Sequence, residues 1–313
     1  MQIAEYLLSI FNNTNRHHDP FFRRLLGVAG LVFVLFLFSI SQVINGISFQ
    51  NTLAGFVIGS IFALSKQHWI GLAFTCAAAM LACVTAWVGG NAIGYLAGAL
   101  ATTDGKGFRA TGHGVNALYD LIYIIPVVLT LSLTISVVMK DLSAGDSRAF
   151  IAIIAVMAAG LFLGGYQIYE AVFSAVTNPK EANKFLVESL YFKKRGEGTV
   201  ANIHERFLMV KRLCDCEILS YSAAYTRSVH LSIVAVVILE TVRPNLYEMV
   251  FPQGGASLDQ YGGVGQLVLR AQSLTANETI VGLLVCIWLF DLVMIIAVGS
   301  IIKWLWLRHY GDR

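Results

Sequence analysis

The sequence predicts an all-α integral membrane protein of six transmembrane helices with both termini in the cytoplasm, and three observations predict it. Hydrophobic residues fill 57% of the 313 positions and charged residues 13%, where an ordinary soluble domain is roughly a quarter charged. The apolar residues fall in blocks of about 20, the helical length that crosses a ~30 Å hydrocarbon core. Lysine and arginine collect in alternate loops, which fixes orientation in a membrane. The mean hydropathy of +0.68 agrees with that class. The net charge of +3 is what basic cytoplasmic loops produce, so no nucleic-acid partner is read from it.

Residues 1–24 form an N-terminal cytoplasmic or interfacial segment, with Ile3, Leu7, Leu8 and Phe11 at helical spacing. Arg23 and Arg24 precede an apolar run without a small-x-small exit site, so the run reads as a retained anchor and not as a cleaved signal. Spans are expected at 25–44, 69–100, 118–139 and 150–176, giving four helices within 25–176. The second is long enough to tilt or break near Gly89, Gly90 and Gly94. Between the first two, 53–64 is too short to cross and reads as a helix at the outer interface or packed on the bundle. The third contains Pro126, tolerated where neighbouring helices satisfy the freed carbonyl. A polar excursion at 177–223 follows. The remaining spans, 224–242 and 279–302, lie within 224–302 and flank an extended outer loop at 243–278. A tail at 303–313 begins with the interfacial anchors Lys303, Trp304, Trp306 and Arg308.

On this layout the outer side carries only Lys66, Lys140, Arg148, Arg243 and Arg270. Apart from Arg227, which falls in the fifth span, every other lysine and arginine lies on the side of the termini.

Motif chemistry excludes several classes. Cys76, Cys83 and Cys286 lie in apolar runs and Cys214 and Cys216 in a charged stretch, an odd set that defines no disulfide framework. Cys214 and Cys216 have one residue between them and no histidine cluster nearby, so no metal site is expected. No Ser-His-Asp set or paired carboxylates stand out, and the chain is not read as an enzyme. Gly105-Lys106-Gly107 lacks the flanking glycine and hydroxyl of a phosphate-binding loop. No cofactor is expected on this chain, and any ATP would be hydrolysed by a partner.

Within the excursion, 197–216 has helical periodicity. Ile203, Phe207, Val210 and Leu213 recur every three or four residues, and His204, Glu205, Arg206, Lys211 and Arg212 take other faces. Two readings stand: an amphipathic helix docked in a groove of a soluble partner, or one lying on the membrane surface.

Three further features complete a pattern. Val236-Val237-Ile238-Leu239-Glu240 ends the fifth span on an acid, Gly262-Gly263-Val264-Gly265-Gln266-Leu267 precedes the sixth, and Tyr123-Ile124-Ile125-Pro126 lies in the third. Together with 197–216, these resemble the permease subunits of binding-protein-dependent ABC importers of type I, in the nitrate, sulfonate, taurine and bicarbonate branch. The resemblance covers 69–308 in layout. Gly198-Thr199 stands where that family has Ala-Ala, and its glycine and terminal proline are replaced. The resemblance implies that 177–223 is a coupling region in which Glu197, His204, Arg206, Phe207, Lys211 and Arg212 meet a separate nucleotide-binding ATPase subunit. It further implies a second permease copy or paralogue, an extracytoplasmic solute-binding protein, a small anionic substrate, and a multi-pass location in the bacterial inner (plasma) membrane. Alternatives are a structural or assembly subunit of a membrane complex and an ATP-independent channel or carrier.

Polar residues within spans are costly and each takes a functional and a structural reading. Asn91, Thr134, Gln167, Arg227, His230 and Asp291 are candidates for a translocation path. Arg227 and His230 lie a turn apart, where they present positive character to an anion or, for Arg227, reach the headgroups. Asp291 reads as path-lining or as a structural hydrogen-bond partner. Glu240 reads as an interfacial carboxylate paired with Arg243, and Glu170 as a partner of cytoplasmic basic residues. Gly160, Gly164 and Gly165 permit close helix packing.

Overall fold

The structure, a computed structural model, describes residues 20–103, 105–124, 147–177, 222–242, 246 and 262–310. Among them every element is helical. The helices are α1 Pro20–Ile44, α2 Leu53–Phe62, α3 Lys66–Ala101, α4 Lys106–Ile124, α5 Ser147–Ala159, α6 Gly165–Thr177, α7 Ser222–Val242, α8 Val264–Ser273 and α9 Asn277–Tyr310. A π-helical turn, Gly160–Gly164, joins α5 to α6. Among the described residues, four stretches are long and apolar enough to cross a membrane: Lys66–Ala101, Ala152–Ser174, Ala224–Val242 and Asn277–Ile301. They correspond to the expected second, fourth, fifth and sixth spans. The apolar stretch Gly30–Ile44 of α1 is shorter, and most of the expected third span, 125–139, lies outside the described residues.

The chain divides into two units, Met1–Phe56 and Val57–Arg313. In the first, α1 ends through Gly46, whose φ of 84° suits a residue without a Cβ and closes the last turn. The Ile47 N–H then reaches the Gln42 carbonyl at 3.1 Å. The start of α2 is capped by side chains, with Gly55 N–H donating to Thr52 Oγ1 at 3.1 Å and Ala54 N–H to Ser39 Oγ at 3.2 Å.

The second unit is organised by α3, which packs against α4, α5, the π turn, α6, α7, α8 and α9. It begins at Ser65, whose N–H donates to Nδ1 of His68 at 3.0 Å, and runs unbroken for 36 residues. At 1.5 Å per residue that is about 54 Å. Of the tilt or break expected near Gly89, Gly90 and Gly94, no break occurs. These glycines serve packing instead: a Cβ on Gly89 would strike Leu161, one on Gly90 the Gly165 carbonyl, and one on Gly94 would come within 2.8 Å of the Val172 Cβ. A Cβ on Gly98 would lie 2.7 Å from the Val176 Cβ. Ala82, Ala86, Gly90, Gly94 and Gly98 thus form a four-residue repeat facing Gly160, Gly164, Ile168, Val172 and Val176. Small residues at this spacing let backbones approach, which is how helices associate in lipid without a hydrophobic driving force. Gly160, Gly164 and Gly165 meet the packing role expected of them.

The π turn widens the backbone within one of the four candidate spans, which commonly exposes a carbonyl. The hydroxyl of Tyr119, from α4, donates to the Leu161 carbonyl at 2.9 Å and so ties α4 to the turn. Outward, Trp69, Val84, Val88 and Leu96 of α3 and Leu284, Trp288, Leu289 and Val293 of α9 are exposed. Only 17% of the most apolar part of α9 is buried. Apolar surface of this extent belongs against lipid or another subunit.

The seam predicts opposite effects for two glycine substitutions. Gly114→Ala on α4, where nothing lies within 4 Å of the added Cβ, should stabilise the protein in detergent by up to about 1 kcal/mol through helix propensity. Gly94→Val should destabilise it by more than about 1 kcal/mol through overpacking. Thermal unfolding followed by tryptophan fluorescence compares the two, and equal effects would contradict the packing role.

Candidate functional site

Glu240, two residues from the end of α7 and 1% exposed, has a hydrogen-bond donor on each carboxylate oxygen. A carboxylate out of water needs donors. It accepts the Thr75 hydroxyl on Oε1 at 2.7 Å and the Gly265 N–H on Oε2 at 2.9 Å. Thr75 Oγ1 in turn accepts the Val264 N–H at 2.8 Å. Val264 and Gly265 are the first residues of α8, so the carboxylate and the hydroxyl together satisfy the orphan donors of that helix start. Negative charge there also complements the helix dipole. Cβ atoms on Gly263 or Gly265 would collide with Glu240, and one on Gly71 with the Gly262 carbonyl, so the glycines are what admit the carboxylate. Glu240 is thus buried in the protein and bound to α8, whose first N–H groups supply the donors that a carboxylate out of water needs. Arg243 lies outside the described residues.

A second polar group joins α7 to α9. His230 Nδ1 and Asp291 Oδ2 are 2.7 Å apart, with the histidine side chain 54% exposed and the aspartate 12%. The other oxygen of Asp291, Oδ1, is buried without a hydrogen-bond partner among the described residues. Cys83 of α3 and Val229, Ile233 and Val298 form the apolar core beside this pair. Further along α3, Asn91 Nδ2 donates to the Trp87 carbonyl at 2.8 Å, and Oδ1 accepts the Tyr225 hydroxyl at 3.1 Å. Trp87 and Tyr225 meet edge to face with centroids 6.1 Å apart.

A third group lies between α4 and α6. Tyr166 donates to Asp120 Oδ1 at 3.0 Å, Tyr169 to Asn116 Oδ1 at 3.0 Å, and Asn116 Nδ2 to Asp120 Oδ2 at 2.9 Å. The ring of Tyr119 lies 4.5 Å from that of Tyr169 and stacks on that of Tyr166. Every hydroxyl in this group is engaged by a neighbouring side chain or backbone carbonyl, which makes it a clamp and leaves no ligand role to assign.

Of the candidate path residues, His230 and Asp291 are brought together and Asn91 takes part in a separate hydrogen-bonded set. Arg227 is exposed on α7, Gln167 is half-buried on α6, and Glu170 is exposed on α6. Thr134 and the whole coupling set, Glu197, His204, Arg206, Phe207, Lys211 and Arg212, lie outside the described residues. Sequence reasoning did not single out Thr75 or the α4–α6 clamp. The clamp did carry a signal, since Asn116 and Asp120 are spaced by four residues and Tyr166, Tyr169 and Phe173 by three and four. Among the described residues, no group of three or more His, Cys, Asp or Glu side chains is placed to hold a metal.

The fold and these groups define a helical membrane protein with charged and polar pairs between its spans. No family model, curated protein or solved structure matches the chain.

The cap makes a direct prediction. Thr75→Val removes the donor to Oε1 and the acceptor of the Val264 N–H, leaving two buried groups short of a partner. Each orphaned group costs about 1–3 kcal/mol, so the variant should lose several °C of thermal stability in detergent while Thr75→Ser loses little. A Thr75→Val protein as stable as the parent would contradict the cap.

Proposed function

We infer that the chain is the permease subunit of an ATP-driven importer of the bacterial inner membrane, with six spans and both termini inside. The observation that carries this reading is the meeting of Glu240 with the turn at Gly262–Gly265. Two short stretches that resemble the importer permeases, an apolar run ending in an acid and a Gly-x-Gly turn, interlock as a single unit. The helix that follows the turn, α8, has 10 residues, about 15 Å. It is too short to cross and links α7 to the last span without a crossing of its own.

In this reading a binding protein delivers a small solute, an anion such as nitrate, a sulfonate or bicarbonate, to the outer face. ATP-driven closure of a partner subunit moves the coupling region 177–223, where Glu197, His204, Arg206, Phe207, Lys211 and Arg212 take the load. The tightly packed α3 seam moves as one body with α6, and access alternates as helices rock against a second permease copy or paralogue. Catalysis of ATP hydrolysis belongs to the separate ATPase chain.

Affinity purification of the full chain from its native membranes tests this. An ATPase subunit is expected to co-purify and to fall at least tenfold when 197–216 is replaced by a flexible linker of equal length. A non-ATPase partner held by that segment would replace the importer with a structural subunit. Solute uptake by liposomes containing this chain alone would replace it with a carrier.

A further inference from the structure

We propose that His68 makes the corner between α2 and α3 a pH-sensitive joint, closed while the imidazole is neutral and loosened when it takes up a proton. The observation behind it is a shared acceptor. The backbone nitrogen and the hydroxyl of Ser65 lie 3.0 and 2.9 Å from Nδ1 of His68. A backbone N–H can only donate, so Nδ1 is bare and the single ring proton is on Nε2. Ser65 is the N-cap of α3 and His68 the third residue of that helix. A capping box places Glu or Gln at this position, where the side chain reaches back to the N-cap N–H. Glutamate and glutamine keep their acceptor at mildly acid pH, whereas histidine loses it there.

A proton on Nδ1 removes that acceptor. The imidazolium can turn its new N–H to the Ser65 hydroxyl, but the Ser65 N–H is then left facing a donor, and a cation stands at the positive end of α3. Both effects weaken the helix start. Ser65 is exposed and His68 half-buried in the first turn, ahead of the span expected at 69–100, so the ring exchanges protons with water. The closed corner thus holds one proton fewer than the open one. Its stability is complete above the ordinary imidazole value of about 6.5 and is lost as the pH falls below it. The titratable groups on the ends of the elements that meet here are Lys66 and Cys76 on α3, Arg270 on α8, Glu278 and Cys286 on α9, and Glu240 on α7, while α2 has none. Glu240 is committed to Thr75 and Gly265. The joint also bears on its neighbours. Leu64, next to the cap, is buried with Leu72 of α3, Val264 and Leu267 of α8 and Leu283 of α9. A Cβ on Gly282 of α9 would lie 2.5 Å from the Ser60 carbonyl of α2. Loosening the cap therefore acts on the seat of α2 against α9 and α8.

This inference rests on the contact of Ser65 with His68 and not on coupling to an ATPase, so it is tested without any partner subunit. The full chain is reconstituted in phosphatidylcholine nanodiscs with 15N-labelled histidine. At about pH 7.5 the His68 signal, identified by its loss in His68→Gln, is expected to show a bare Nδ1 and a protonated Nε2. Hydrogen exchange across residues 64–69 is then followed by mass spectrometry at about pH 7.5 and about pH 5, with each rate referred to that of an unstructured peptide at the same pH. Protection in the parent is expected to fall about fivefold on acidification, the typical worth of a helix N-cap. In His68→Gln, which keeps an acceptor and does not titrate, protection should stay level. His68→Asn, which also keeps an acceptor, is the second variant should the first fail to fold. A proton on Nδ1 at the higher pH, a parent corner equally protected at both, or an equal fall in the glutamine variant would overturn the proposal. None of these results would bear on co-purification of an ATPase.

Discussion

The close approach of α3 to the span formed by α5, the π turn and α6 is the constraint on which the rest of the second unit depends. Lipid gives helices no reason to associate through apolar surface alone, because the tails are as apolar as leucine. Association then has to come from many short-range contacts and a few hydrogen bonds. The repeat of Ala82, Ala86, Gly90, Gly94 and Gly98 supplies the first by removing side chains from one stripe of a 36-residue helix. Because α3 touches seven other elements, its position sets theirs. Thr75 near one end meets Glu240, Cys83 stands beside the α7–α9 core, and Asn91 further along meets Tyr225.

The polar groups of the bundle divide by how fully they are satisfied. Glu240 is buried and each of its oxygens has a donor, so it fastens α7, α3 and α8 together. The α4–α6 clamp is likewise closed on itself, with each tyrosine hydroxyl accepted by a neighbour. His230 and Asp291 differ, since the histidine is half exposed and one aspartate oxygen is buried without a donor. Groups that are fully paired rigidify a core, whereas Asp291 leaves one buried oxygen without a donor among the described residues.

How much was legible in the sequence follows the range of each interaction. Lipid-crossing blocks are local, and the expected spans at 224–242 and 279–302 differ by two residues or fewer at either end from the observed Ala224–Val242 and Asn277–Ile301. The length of α3 suggested a tilt or break at its glycines, while in a membrane helix a four-residue repeat of small residues marks a contact. That repeat was visible in Ala82, Ala86, Gly90, Gly94 and Gly98 and was the better guide. The types of His230, Asp291 and Glu240 were legible as unusual, but their partners stand far along the chain. Asp291 is 61 residues from His230, and Thr75 is 165 residues from Glu240. No local pattern encodes such pairings, and only the folded register reveals them.

Disulfide trapping along the α3 seam tests this account most directly. In a chain with its five native cysteines replaced, paired cysteines would be placed at Gly90 and Ile168, Gly94 and Val172, and Gly98 and Val176. Ideal Cβ positions on the three glycines lie 3.1, 2.8 and 2.7 Å from the facing Cβ atoms, close enough that a slight relaxation reaches the 3.5–4.5 Å of a disulfide. All three pairs should cross-link rapidly in membranes, and pairs shifted by one residue on α3 should not. Cross-linking of the shifted pairs in place of these three, or of none, would contradict the register on which the polar groups of the bundle depend.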